Sequence, residues 1–261
     1  MSRPRRLDYA YAVGRVRALE KDLVQQAVFR EAVEATDPVS ALKMIYDAGN
    51  YGEDLIKVSD SNELDAVLLR EAEKLKKLVG AILLEKDILE VMLLDESPAE
   101  AMAPAEGSGN TFILGYIRCR IDLGNIKIFC RSRYLENPEK KLEKLLLPGG
   151  AITPQAFISC YSLPLEEACD RFRATAYYDL WRRGVEALEE RQTFVELERG
   201  IEDFLMSYLR RAKNITFGPE PVFAYGLAKK RELALVRLLG LGKIIKLPLD
   251  LLRERISATY V

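Results

Sequence analysis

The sequence predicts an all-α fold built from repeated helical units. Over most of the 261 residues, apolar side chains recur three and four positions apart, as one face of a helix requires. Helix-start signals stand before those stretches, at Asp37-Pro38, Asp60 with Glu63, Thr153-Pro154 and Thr193 with Glu196. No stretch sustains strand alternation between turn residues.

The first helix is expected over Tyr9 to Phe29, with Tyr11, Val13, Val16, Leu19, Leu23 and Val24 at helical spacing and Asp8 as its cap. A shorter helix from Asp37-Pro38, closed by Gly49, makes a hairpin with it. Asp60 and Glu63 resemble a capping box, and Leu64, Val67, Leu68, Leu75, Leu78, Val79, Ile82 and Leu83 then continue one apolar stripe. Residues 97–110 hold two prolines, two glycines and several alanines, with neither period nor bulk, and are expected to be a linker. Beyond it, Phe112 to Tyr134 predicts a helix and Leu147-Pro148-Gly149-Gly150 a tight turn. Further helices are expected from Thr153-Pro154 to Cys160, over Leu165 to Phe172, and over Tyr178 to Leu188. Thr193 and Glu196 start a strong helix with Leu197, Ile201, Phe204, Leu205, Tyr208 and Leu209 on one face. Phe217-Gly218-Pro219-Glu220-Pro221 must break it, a long helix follows from Val222 to about Leu241, and Pro248 opens a short last one. The chain thus divides into an N-terminal helical unit over 1–96, the linker over 97–110, and a helical repeat region over 111–261 with units centred near 111–160 and 219–261.

The repeat is read directly. Asp122-Leu123-Gly124-Asn125-Ile126-Lys127 aligns with Glu232-Leu233-Ala234-Leu235-Val236-Arg237, an offset of 232 − 122 = 110 positions that matches an acid, an apolar pair and a base. Without a gap, Pro138 then falls on Pro248, Leu142 on Leu252 and Leu146 on Ile256. Repeats of this kind bury a face against their neighbours and commonly present a concave docking surface.

Composition narrows the chemistry. Basic and acidic residues number 39 and 40, so no overall field attracts a polyanion, and nucleic acid is not an expected partner. No uncharged apolar run approaches the roughly eighteen residues of a spanning helix, and the basic opening Arg3-Pro4-Arg5-Arg6 leads into a mixed segment rather than a signal core. The chain has no histidine, which removes the usual general base and zinc ligand, and Cys119, Cys130, Cys160 and Cys169 show no CxxC spacing. They are expected to be unbridged, partly buried thiols. No phosphate-binding glycine motif occurs. No catalytic, cofactor-binding or metal-binding residue is therefore expected. Lys229-Lys230-Arg231 and Arg210-Arg211 are expected to be solvated helix faces, and Tyr177, Tyr178 and Trp181 core residues at a helix junction.

The residues from Phe217-Gly218-Pro219-Glu220-Pro221-Val222-Phe223-Ala224-Tyr225 through Ala228-Lys229, Glu232 and Arg237 to Gly242-Lys243 and Tyr260-Val261 resemble the C subunit of archaeal and bacterial V/A-type rotary ATPases, a family related to the d subunit of the eukaryotic vacuolar enzyme. The same pattern appears in Asp122, Asn125, Lys127 and Arg131, in Leu147-Pro148-Gly149-Gly150, and in Tyr11 with Arg15-Val16-Arg17-Ala18-Leu19. Two positions depart from it: Lys230 stands where the family usually has glutamate, and Leu235 where it usually has asparagine. Family members also usually carry three related helical units, one more than this chain shows.

The resemblance implies a funnel-like or partly open helical body, peripheral to the cytoplasmic face of the membrane and attached through protein contacts. It would be a central-rotor socket between the shaft formed by the D and F subunits and the ring subunit of the membrane sector. ATP chemistry and proton or sodium movement would belong to other subunits. The rival expectation is a helical-repeat adaptor outside the rotary complex. Asp122, Asn125, Lys127, Arg131, Glu220, Tyr225, Lys229, Glu232 and Arg237 are the candidate positions for structural roles or partner contact.

Overall fold

The structure, a computed structural model, describes residues 3–135 and 138–261, with side chains outside 136–140. Every regular element among them is a helix. The described chain forms two compact units, one from residues up to Met92 together with Met206–Val261 and one from Leu93–Leu205. The sequence-based boundary at 97–110 lies inside the second.

In the first unit a 3-10 turn at Arg6–Tyr9 leads into α1 (Ala10–Leu19), followed by α2 (Gln26–Glu34), α3 (Pro38–Ala48), α4 (Ser61–Ile82) and α5 (Lys86–Leu93). The single helix expected from Tyr9 to Phe29 is broken at Leu23–Gln25. There the Val24 N–H leaves the helix pattern and donates to the Glu232 carboxylate at 2.6 Å, so a tertiary partner overrides local periodicity. The hairpin expected at this end is made by α2 and α3, the latter capped by Asp37, which accepts from the Ser40 N–H at 2.9 Å. Asp60 caps α4 by accepting from the N–H groups of Asn62 and Glu63 at 2.8 and 2.9 Å. Glu63 reaches back to the N–H of Ser59, one residue earlier than a standard capping box uses.

The second unit contains α6 (Pro98–Ser108), α7 (Thr111–Ser132), α8 (Pro138–Leu145), α9 (Pro154–Ser159), α10 (Leu165–Asp170), α11 (Tyr178–Arg191) and the start of α12 (Val195–Arg210). The expected linker is helix α6, which is a correction with a plain cause. Alanine is the best helix former, Pro98 sits at a first-turn position, and the lack of bulk lets α6 lie close on α7 with Ala101 and Ala105 fully buried. Gly109 ends α6 at φ 60°, and Asn110 caps α7 by accepting from Phe112 and Ile113. Trp181 packs on Phe129, Phe157 and Phe172 and Tyr177 is buried, as expected of core residues, whereas Tyr178 is half-buried and donates to Asp170.

After the 3-10 turn Arg211–Asn214, α13 (Glu220–Ile244) and α14 (Leu249–Arg255) return to the first unit. Of the 25 residues of α13, 18 are buried and Ala234 and Arg237 are the exposed ones, so this helix is the axis of its unit. It packs against α1, α2, α3 and α4, and its Leu235, Val236 and Leu239 join Phe29, Leu42, Ile45, Leu55, Leu64 and Leu252 in one core. Full burial of a Leu, Ile or Phe side chain contributes about 1.5–3 kcal/mol, which is why a helix this apolar must lie inside.

Candidate functional site: two buried carboxylate latches

On α7, Asp122 and Asn125 are fully buried one turn apart. Asp122 accepts from the N–H groups of Ala151 (3.1 Å) and Ile152 (2.9 Å) and from the Tyr177 hydroxyl (3.0 Å). Asn125 donates to the Leu147 carbonyl and accepts from the Leu147 N–H, each at 2.8 Å. Together they hold both ends of the Leu147-Pro148-Gly149-Gly150 turn. Gly149 takes φ 97°, and a Cβ at Gly150 would collide with the Asp122 carboxylate. Burial raises the Asp122 pKa against the pull of these hydrogen bonds. Lys127 and Arg131, further along α7, converge on Glu198 of α12, with Lys127 at 3.1 Å and the Arg131 guanidinium also 5.3 Å over the Phe194 ring.

The same device recurs on α13. Glu232 accepts from the Val24 N–H and the Tyr51 hydroxyl, both at 2.6 Å, and from the Lys229 ammonium one turn earlier. Lys229 also lies 4.2 Å over the Tyr51 ring. In each unit, then, a repeat-position acid accepts from backbone N–H and from a tyrosine of another element. The matching bases agree as well: Arg237 donates to Asp65 of α4 at 2.8 and 3.2 Å, much as Lys127 pairs with Glu198. Leu142 and Leu252, and Leu146 and Ile256, are all buried. Where α7 has Asn125, α13 has Leu235 in the hydrophobic core, so that arm of the latch is replaced by packing.

The expectation of a solvated face fails at Lys229, which is 8 % exposed because its charge is held by Glu232 and Tyr51. Burial pushes the Tyr51 hydroxyl pKa well above its ordinary value, with the Glu232 charge adding to it, so this group stays a donor. Glu220, at the start of α13, accepts both arms of Arg6 at 2.8 and 3.1 Å, and Arg6 also donates to the Phe217 carbonyl at 2.6 Å. Tyr225 is buried at the edge of a cleft of about 400 Å³ also lined by Arg15, Asp22, Glu71 and Lys229. The structure thus joins Asp122 with Asn125, Lys127 with Arg131, and Lys229 with Glu232, while Glu220 and Arg237 lie at other turns of α13 with partners of their own.

Sequence reasoning missed the partners Tyr51, Tyr177, Glu198, Asp65 and Arg6, which no local pattern marks. It also passed over the role of Arg17, whose guanidinium donates to the carbonyls of Ala212, Lys213 and Ile215 at 2.9, 3.0 and 3.2 Å and ties α1 to the turn before α13. No cluster of metal-ligating side chains occurs among the described residues, and no described helix is long and apolar enough to cross a membrane.

The family model of the ATP synthase (C/AC39) subunit matches residues 81–255, a stretch that contains the whole Asp122 latch and Lys229 and Glu232 of the other, but not Val24 or Tyr51. The chain belongs to the ATP synthase C/AC39 subunit family. This C/AC39 chain is 28 % identical over 155 residues to the C subunit of the V-type sodium ATPase of Enterococcus hirae, a match that covers 59 % of the chain and 47 % of that protein. It is 26 % identical over 137 residues to the C subunit of the A-type ATP synthase of Archaeoglobus fulgidus, covering 52 % of the chain and 38 % of that protein. The match spans less than half the length of either relative. Asp122, Asn125, Glu220, Lys229 and Glu232 all make hydrogen bonds within this chain.

Proposed function

We propose that the chain is a non-catalytic coupling subunit of a V/A-type rotary ATPase or ATP synthase, a socket between the D–F shaft and the ring subunit of the membrane sector. The observation that carries this is the family match over 81–255, supported by likeness to two proteins named as C subunits of such complexes. The chain's own chemistry is in keeping with it. One buried acid in each unit latches a helix to a loop, Glu232 in the first and Asp122 in the second. A transmitter of torque needs stiffness, and each latch replaces a soft loop contact by several directed bonds to a carboxylate, which are stronger than neutral ones. Attachment at the cytoplasmic membrane face would run through protein contacts.

The test is co-expression with the D, F and ring subunits followed by sizing at low salt. Co-elution with both the D–F pair and the ring is expected; a chain that migrates alone under these conditions has no coupling role.

A further inference from the structure

One side of α1 has no function inside the fold. Val16 is fully buried and Arg17 binds three carbonyls, but Tyr11, Gly14 and Ala18 of α1, with Leu7 of the preceding 3-10 turn, are open to solvent at spacings of four, three and four, Leu7 exposed by 62 % and Tyr11 by 74 %. A Cβ added at Gly14 would meet nothing within 4 Å. Nothing among the described residues therefore requires glycine there, although glycine weakens a helix interior. A four-three-four ridge with small residues at its centre is the surface into which another helix packs at short range.

A second observation lies at the foot of this ridge, in the 400 Å³ cleft. The charges around it are largely satisfied: Glu232 by Lys229 and Tyr51, Glu71 by Lys74, and Glu20 by Arg17. Four polar lining groups make no hydrogen bond or ion pair among the described residues: Arg15, Asp22, the exposed Asn50 amide and the hydroxyl of Tyr225, a residue only 5 % exposed. Burial pushes the Tyr225 pKa to about 12, so the hydroxyl remains a donor at neutral pH. The cleft thus offers two donors for an anion and, seven residues along from Arg15, one acceptor for a cation. Asp22 lies past the end of α1, in the 3-10 turn Glu20–Asp22.

We propose that this face of α1 is the docking surface for a helix of another subunit, which sets apolar side chains against Leu7, Tyr11, Gly14 and Ala18 and presents a carboxylate to Arg15 and Tyr225 and a basic group to Asp22. The inference rests on the rotary-complex assignment above. Exposed tyrosine and arginine beside an apolar ridge are the residue types that dominate binding energy when covered. The opposite signs of Arg15 and Asp22 fix the direction in which the partner helix lies.

The experiment uses the co-expressed complex. Hydrogen exchange of residues 6–22 is compared in the isolated chain and in the complex, and low-salt retention is measured for wild type, Gly14→Ala, Arg15→Glu with Asp22→Lys, and Arg30→Glu, a control at an exposed position of α2. Assembly is expected to slow exchange over α1, and the charge-reversed pair to bind about tenfold or more weakly while Arg30→Glu is unchanged. Gly14→Ala is expected to raise the thermal midpoint of the isolated chain yet weaken its retention, a combination that poor folding cannot produce. Wild-type assembly with unaltered exchange in α1 and full retention of both surface variants overturns the docking face and leaves the coupling role standing. Protection of α1 with no response to charge reversal overturns the chemistry assigned to the partner. Failure of wild type to assemble removes both.

Discussion

At the scale of single residues, the candidate polar positions divide by what their charges already hold. Glu232 is 3 % exposed and joins Val24, Tyr51 and Lys229, so its removal strands a buried ammonium. Breaking a buried pair from one side typically costs about 3–5 kcal/mol. Glu232→Ala is therefore expected to lower unfolding stability by about that amount in denaturant titration, and Lys229→Met with Glu232→Leu to recover most of it. Equal stability of the single and double variants would contradict the latch. Arg237 acts at the surface and differently: its two hydrogen bonds hold the Asp65 carboxyl below the ordinary 3.8. A depressed carboxyl pKa adds stability above the unfolded value and loses it as pH falls through the folded one. The wild-type advantage over Arg237→Gln is thus expected to be full above about pH 4 and to shrink progressively below it, as followed by thermal midpoints across the acid range.

At the scale of elements, glycine positions report how closely helices approach. A Cβ at Gly184 on α11 would stand 2.7 Å from the Leu197 Cβ and 3.1 Å from its Cα on α12, and backbone cannot swing aside as a side-chain end can. Gly184→Ala should therefore destabilise by about 1–3 kcal/mol, seen as a lower denaturant midpoint at unchanged slope. The helices themselves were largely legible. The caps at Asp37 and Asp60 and the breaker before α13 mark their ends by side-chain chemistry that acts within a few residues. Two elements were not legible. The bend after α1 depends on Glu232, 208 residues from Val24, and α6 depends on burial of Ala101 and Ala105 against α7, which a low-bulk, proline-containing sequence does not advertise.

At the scale of the whole molecule, the first compact unit is assembled from both ends of the described chain. Its axis, α13, supplies Leu235, Val236 and Leu239 to a core otherwise made by α2, α3, α4 and their loops. A chain ending at Leu205 is expected to lose cooperative unfolding of that unit and to expose an apolar face prone to aggregation, and co-expression of residues 206–261 to restore solubility. A soluble truncated chain with unchanged exchange protection in α3 and α4 would count against this organisation. By itself the sequence determined the all-α class, the paired acids and bases 110 positions apart and the family, because capping, periodicity and repetition are recorded within short stretches of residues. The tertiary structure alone decided that Lys229 is buried, that Tyr51 and Tyr177 complete the two latches, and that Arg15 and Asp22 are left over at the cleft. Those outcomes depend on which distant groups reach one another's charges, and a carboxylate takes its donors from whatever the fold brings within about 3 Å.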